Sequence, residues 1–99
     1  MSTEVNVERK TKTEVEVPSL WKVIILNDDQ TPMDFVIGLL TTIFKHKEDD
    51  ARDITMEIHN TGSAVAGVYS YEIAEQRGLE ATQISRTNGF PLQIQVEKD

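Results

Sequence analysis

Between Leu20 and Leu26 the chain reads LWKVIIL, an apolar run interrupted by a single lysine. Its β-branched residues and its aromatic predict a well-buried strand. A chain of 99 residues has room for one domain with one modest core. Burial of this strand therefore has to be satisfied within that core, and the rest of the chain has to be arranged around it.

The segment after the strand is unusual. Ile25 to Val36 reads ILNDDQTPMDFV, so Asn27, Asp28 and Asp29 stand where the apolar run ends. Thr31, Pro32 and Asp34 predict a helix start, with Thr31 as N-cap, Pro32 at the first helical position and Asp34 in the first turn. Met33, Val36, Ile37, Leu40, Ile43 and Phe44 share one stripe of that helix. Its end is expected near Lys45 to Lys47, where cations suit the negative pole of the helix dipole. A second helix is expected from Glu48 to Asn60, stopped by Asn60-Thr61-Gly62. Ala51, Ile54, Thr55 and Ile58 form its inner stripe, with Thr55 as the polar member.

Further on, SAVAGVY (Ser63 to Tyr69) reads as a short strand of small residues packed closely against something. Ser70 is positioned to cap a third helix through YEIAEQRGLEATQISR, which Gly78 weakens by ~1 kcal/mol. NGFP makes a turn, and LQIQVE alternates Leu92, Ile94 and Val96 with polar residues, as a half-exposed strand does. The order β-α-α-β-α-β predicts an α+β fold. It would be a two-layer sandwich, a three-stranded antiparallel sheet with three helices on one face.

Before this domain, expected over residues 19–99, the first 18 residues differ in kind. They hold no aromatic, and Glu4, Glu8, Glu14 and Glu16 are interleaved with Arg9, Lys10 and Lys12. Such a segment reads as a flexible N-terminal extension, although its alternation of Val with polar residues would also suit an added strand.

Charge and composition narrow the partners. The formal charge of −7 argues against nucleic acid, whose phosphates need a basic face. It suits a cationic ligand, or serves solubility. The absence of cysteine rules out disulfides, thiolate metal sites and thiol nucleophiles. No apolar run approaches the ~20 residues of a membrane span and no signal-peptide core is present, so a cytoplasmic protein without membrane contact is expected.

Enzyme motifs are missing: there is no Gly-rich phosphate loop, no G-x-S-x-G and no H-E-x-x-H. His46 and His59 lack partners at metal-ligand spacing. Asp28 and Asp29 are adjacent, and neighbours on an extended chain point to opposite sides, which disfavours a shared-proton pair. A non-enzymatic binding protein without metal or cofactor is expected. Asn and Asp at the end of a buried strand offer amide and carboxylate oxygens to a cation, and a neutral His59 would add a third acceptor. Taken singly, the NDD segment also reads as a turn bonding its own backbone, and His59 as a helix-terminal residue.

Together, WKVIILNDDQTPMDFV, IHNTGSAVAGVYSYEIAE and FPLQIQVEKD closely resemble the ClpS family, over about residues 20–99. ClpS proteins are adaptors that hand N-degron substrates to a Clp AAA+ unfoldase. The resemblance implies a site for a free α-amino group, held by Asn27, Asp29 and His59 with Asp28 supporting the loop. It implies a pocket for a large apolar first side chain (Leu, Phe, Tyr or Trp), lined by Ile25, Leu26, Thr31, Met33, Val36, Thr55, Ile58 and Leu92. Taken without the resemblance, Met33 and Val36 read as plain core residues. Glu72 and Arg77, near the start of the third helix, would meet the N-terminal domain of the unfoldase, and the protein would be a monomer. Well-known members carry Met where this chain has Thr55, and a frequent aromatic where it has Gln30. The other expectation is an interaction domain resembling the C-terminal domain of the ribosomal stalk protein, which shares the layout but gives NDDQTP no task.

Overall fold

The computed structural model describes residues 18–99. Apart from Pro18, the expected N-terminal extension, together with the alternative of an added strand there, lies outside the described residues. Six elements follow in the expected order: β1 (Trp21–Leu26), α1 (Met33–Thr42), α2 (Glu48–Thr61), β2 (Ser63–Tyr69), α3 (Tyr71–Thr87) and β3 (Gln93–Lys98). The strands form one antiparallel sheet in the order β2-β1-β3, so the apolar run is its central strand. Val23 and Ile25 point into the core and are fully buried, and Ile25 stands between Ala64 and Ile94. Ile24 and Leu26, on the opposite face, are only half-buried.

Pairing between β1 and β2 slips between Val23 and Ile24, leaving Ala66 outside the ladder as a bulge. The freed Ala66 carbonyl meets the ring Nε2 of His46. Helix α3 touches all three strands, while α1 packs on α2 and α2 on β2. Close approach of α3 is possible because its buried face is Ala74, Gly78, Ala81 and Ser85. A Cβ on Gly78 would stand 3.2 Å from Val96 Cγ2. The residue that weakens the helix locally is thus the one that lets it lie on β3. The buried Ser85 hydroxyl donates to the Ala81 carbonyl at 2.8 Å.

Three local expectations are corrected. Thr31 is not the N-cap of α1: Pro32 takes that place without a side-chain cap, and its carbonyl accepts from Phe35 and Val36 N–H. The Thr31 hydroxyl is instead engaged by Asp28. Helix α1 ends at Thr42, before Lys45 to Lys47, because burying both Ile43 and Phe44 requires the chain to turn. Lys45, in the left-handed region at φ 63°, completes that reversal. Ser70 stands at the N-cap of α3 but makes no side-chain capping bond. Helix α2 closes as its sequence predicts, on Gly62 at φ 101°.

The turn between β1 and α1 is built on Asp28. Its Oδ1 accepts from Gln30 N–H at 2.8 Å and Thr31 N–H at 2.7 Å, and its Oδ2 accepts from the Thr31 hydroxyl at 2.8 Å. Burial by itself would raise this carboxyl. The three hydrogen bonds and the nearby Arg86 charge outweigh it and hold the group below its ordinary value of 3.8. The charged form is therefore the one the fold favours. Its stabilisation is complete above the unfolded carboxyl value and drains away as pH falls through the folded one.

Two outcomes are expected. Asp28→Asn should cost about 1–2 kcal/mol at pH 7, and the difference from wild type should shrink as urea unfolding is repeated below pH 3.8. Gly78→Val should lower stability by about 1–3 kcal/mol, since a branched side chain there overpacks against Val96 and Ile94; a urea midpoint at or above that of wild type would contradict the close approach.

Candidate functional site

Where β1 ends, its pairing with β2 continues for one more bond: Asn27 N–H donates to the Gly62 carbonyl at 2.9 Å. Gly62 terminates α2, so this bond brings the last turn of α2, with Ile58 and His59, beside the Asn27–Asp29 segment. The Asp28 turn then delivers the chain into α1, whose first residues include Met33 and Val36, one helical turn apart. A narrow cleft opens among these three pieces and the residue before β3, Leu92.

Leu26, Met33, Val36, Ile58 and Leu92 supply apolar wall. Thr55 joins them, only 3% exposed, with its hydroxyl turned back onto the Ala51 carbonyl at 2.8 Å. That bond satisfies the buried polar group within its own helix and leaves the methyl to act as wall. The polar rim consists of Asn27, Asp28, Thr31 and His59. Among the described residues, the side chains of Asn27 and His59 have no hydrogen-bond partner, whereas the Asp28 carboxylate is committed to its turn. The cleft as it stands has a volume of about 20 Å³, little more than one water needs. Met33, 38% exposed and unbranched, is the wall best able to swing aside.

Ten of the expected site residues thus line one cleft. Two do not. Ile25 is fully buried on the core side of β1, because alternation along a strand sends it away from Leu26. Asp29 is exposed next to the rim without lining the cleft.

Glu72 and Arg77 lie elsewhere, on α3. Glu72 is an exposed member of its first turn. Arg77 is half-buried, with its guanidinium 5.9 Å from the Tyr69 ring centroid and Nη1 4.0 Å from Glu80. Burial raises the Tyr69 phenol above its ordinary value despite that neighbouring charge.

One residue behind the cleft carries little signal in the sequence. Arg86, in the last turn of α3, donates from Nη1 to the carbonyls of Phe90 at 3.1 Å and Leu92 at 2.7 Å. Phe90 also stacks edge-on against Phe35 of α1, centroid to centroid 4.8 Å. A cation in a final helical turn ahead of a Gly-Phe-Pro loop is the only sequence mark of this arrangement.

Among the described residues, no helix is long and apolar enough to cross a membrane. The family model described as ATP-dependent Clp protease adaptor protein ClpS matches residues 16–95. The ATP-dependent Clp protease adapter protein ClpS of Shewanella loihica is 42% identical over 93 residues, covering 94% of this chain and 91% of that protein. Among solved structures, that of Agrobacterium tumefaciens ClpS2 bound to L-phenylalaninamide is similar at a TM-score of 0.81 and 42% identity. It covers 84% of this chain and 100% of its own. With nearly the whole of its described length matched in sequence and in fold, the chain belongs to the ClpS family of Clp protease adaptors.

Proposed function

We propose that this protein binds the first residue of N-degron substrates in the cleft between β1, α1 and α2 and delivers them to a Clp AAA+ unfoldase, performing no chemistry itself. The observation that carries the proposal is the joining of an apolar wall to a rim of uncommitted acceptors. Asn27 and His59 stand over Met33, Val36, Ile58 and Leu92, with Asp29 alongside. An N-terminal residue has the matching shape, an ammonium beside an apolar side chain. L-phenylalaninamide, the ligand of the similar ClpS2 structure, has the same two parts. The carboxylates divide the work: Asp28 builds the turn, and Asp29 is left to face the ammonium.

Magnitudes fit an adaptor. Burying a Leu or Phe side chain contributes about 1.5–3 kcal/mol, and each hydrogen bond to a charged group about 1.5–3 kcal/mol. Lost translational and rotational freedom offsets several of these kcal/mol. A dissociation constant of micromolar order, about −8 kcal/mol, is the result. Glu72 and Arg77 are the proposed contacts with the N-terminal domain of the unfoldase, on a helix outside the cleft that leaves substrate free to bind at the same time.

Thr55 sets the breadth of the pocket. A Met at its place would push a flexible thioether into the cleft, where Thr55 presents only a methyl. The shorter wall leaves room near the Cβ of the bound residue, where Ile and Val branch. Gln30, exposed beside the rim, faces the position of the second substrate residue.

A fluorescent peptide beginning with Leu should bind in the micromolar range, and its N-acetylated twin at least about fifty-fold more weakly, since acetylation removes the charge and the donors. Equal binding of both, or of neither, by fluorescence anisotropy would remove the amine from the site. Thr55→Met should weaken an Ile-first peptide about tenfold more than a Leu-first one, a change of about 1.4 kcal/mol in selectivity. An Ile-first peptide that already binds wild type over a hundred-fold more weakly than its Leu-first twin would show that Thr55 does not widen the pocket.

A further inference from the structure

The wall opposite α2 is not made by a helix or a strand. Leu92 lies between α3 and β3, in the run Asn88 to Leu92, yet it is 1% exposed and lines the cleft. A loop residue can serve as a wall only if its backbone is held. Phe90 N–H donates to the Ser85 carbonyl at 2.9 Å, and Gly89 N–H to the Arg86 carbonyl at 3.0 Å. These bonds close the first half of the loop on the end of α3. Pro91 has no N–H, so the second half has one donor fewer with which to close. There the Arg86 guanidinium takes over, with one nitrogen meeting the carbonyls of both Phe90 and Leu92.

We propose that Arg86 is a positioning residue of the cleft: it fixes Leu92 as the far wall for the substrate's first side chain. The inference rests on the adaptor reading of the cleft. The two walls have no strand pairing between them at this level, since β3 begins only at Gln93 and β1 ends at Leu26. Arg86 secures the Leu92 side by another means. It holds Leu92 through directed hydrogen bonds, both donated by the guanidinium Nη1. The aromatic pair Phe35–Phe90 adds a contact from α1 to the same loop, so the loop is held from two elements at once.

A supporting residue of this kind leaves a specific signature. Loosening Leu92 blunts the discrimination of side chains by size, whereas the demand for a free amine, set by Asn27, Asp29 and His59, persists. A merely structural arginine would lower the melting temperature and leave the order of preferred first residues intact.

The test pairs Arg86→Met, which keeps the apolar stem and removes donors and charge, with Arg86→Lys, which keeps the charge but falls one bond short of the two carbonyls. Affinities are measured by anisotropy for otherwise identical peptides beginning with Leu, Phe and Val and for the acetylated Leu peptide, alongside amide hydrogen exchange. Arg86→Met should weaken Leu- and Phe-first peptides about tenfold while Val-first changes less, compressing the selectivity, with acetylated peptide still excluded. Exchange at Gln93 and within Asn88 to Leu92 should accelerate. Arg86→Lys should leave the loop unprotected as well. Unchanged selectivity in both variants, while wild type still prefers the free amine, would overturn the positioning role and leave the adaptor reading in place. Failure of wild type to distinguish free from acetylated peptide would sink both. If Arg86→Met does not fold, Arg86→Lys alone decides: loop exchange at the wild-type rate overturns the proposal.

Discussion

The site depends on a hydrogen bond that is ordinary in kind. Asn27 N–H to the Gly62 carbonyl is the last rung between β1 and the chain entering β2, and it falls where both strands have run out. Gly62 can accept it because a left-handed φ of 101° turns the end of α2 straight into the sheet. One backbone contact thereby fixes the distance between a strand end and a helix end. The rim residues Asn27 and His59 belong to those two ends. Their approach is inherited from the sheet, which needs no contact between the two side chains to maintain it. Such a rim stays open to a ligand because its own members are held by their backbones.

Polar groups around the cleft are divided between holding and waiting. Asp28 is occupied on both oxygens, Thr31 on its amide and hydroxyl, and Thr55 on its own helix. Asn27 and His59, which also line the cleft, are left without partners among the described residues. Had Asp28 not closed the turn itself, a neighbouring acceptor would have been drawn into it. The NDD segment needs its length for this reason: one carboxylate is taken up by the fold so that the groups on either side of it remain available. A net charge of −7 adds a diffuse attraction for an ammonium without contributing any geometry.

Much of this was readable in the sequence. LWKVIIL reads as a buried strand and forms the central one, though only its Val23 and Ile25 face is fully buried, and the acidic start with a Gly stop bounded α2 to within one residue, since propensity and burial agree there. The misreadings share a cause. Thr31 fits the N-cap pattern, but a carboxylate three residues earlier competes with the helix for its hydroxyl and wins, and cap statistics do not see that competitor. Lys45 to Lys47 suit a helix end electrostatically, yet burying Ile43 and Phe44 is worth more than a dipole contact, so the helix stops sooner. The family resemblance put Ile25 in the pocket together with Leu26, although alternation in a strand admits only one of them. Gly78 was visible as a defect in α3, and only the packing of Val96 shows why it is there. Arg86 was unreadable because its partners are backbone carbonyls, which leave no trace in residue types.

The narrowness of the unliganded cleft bears on how an adaptor works. An open pocket large enough for Phe would expose a contiguous apolar surface, and exposed surface of that kind invites non-specific association. Met33, which lines the cleft, is itself 38% exposed, so little rigid packing holds it in place. Opening costs some of the free energy that side-chain burial returns, and the net affinity falls accordingly. For an enzyme that would be a loss. For a protein that hands its cargo on, a modest affinity is sufficient, and a narrow unliganded cleft limits the apolar surface it presents.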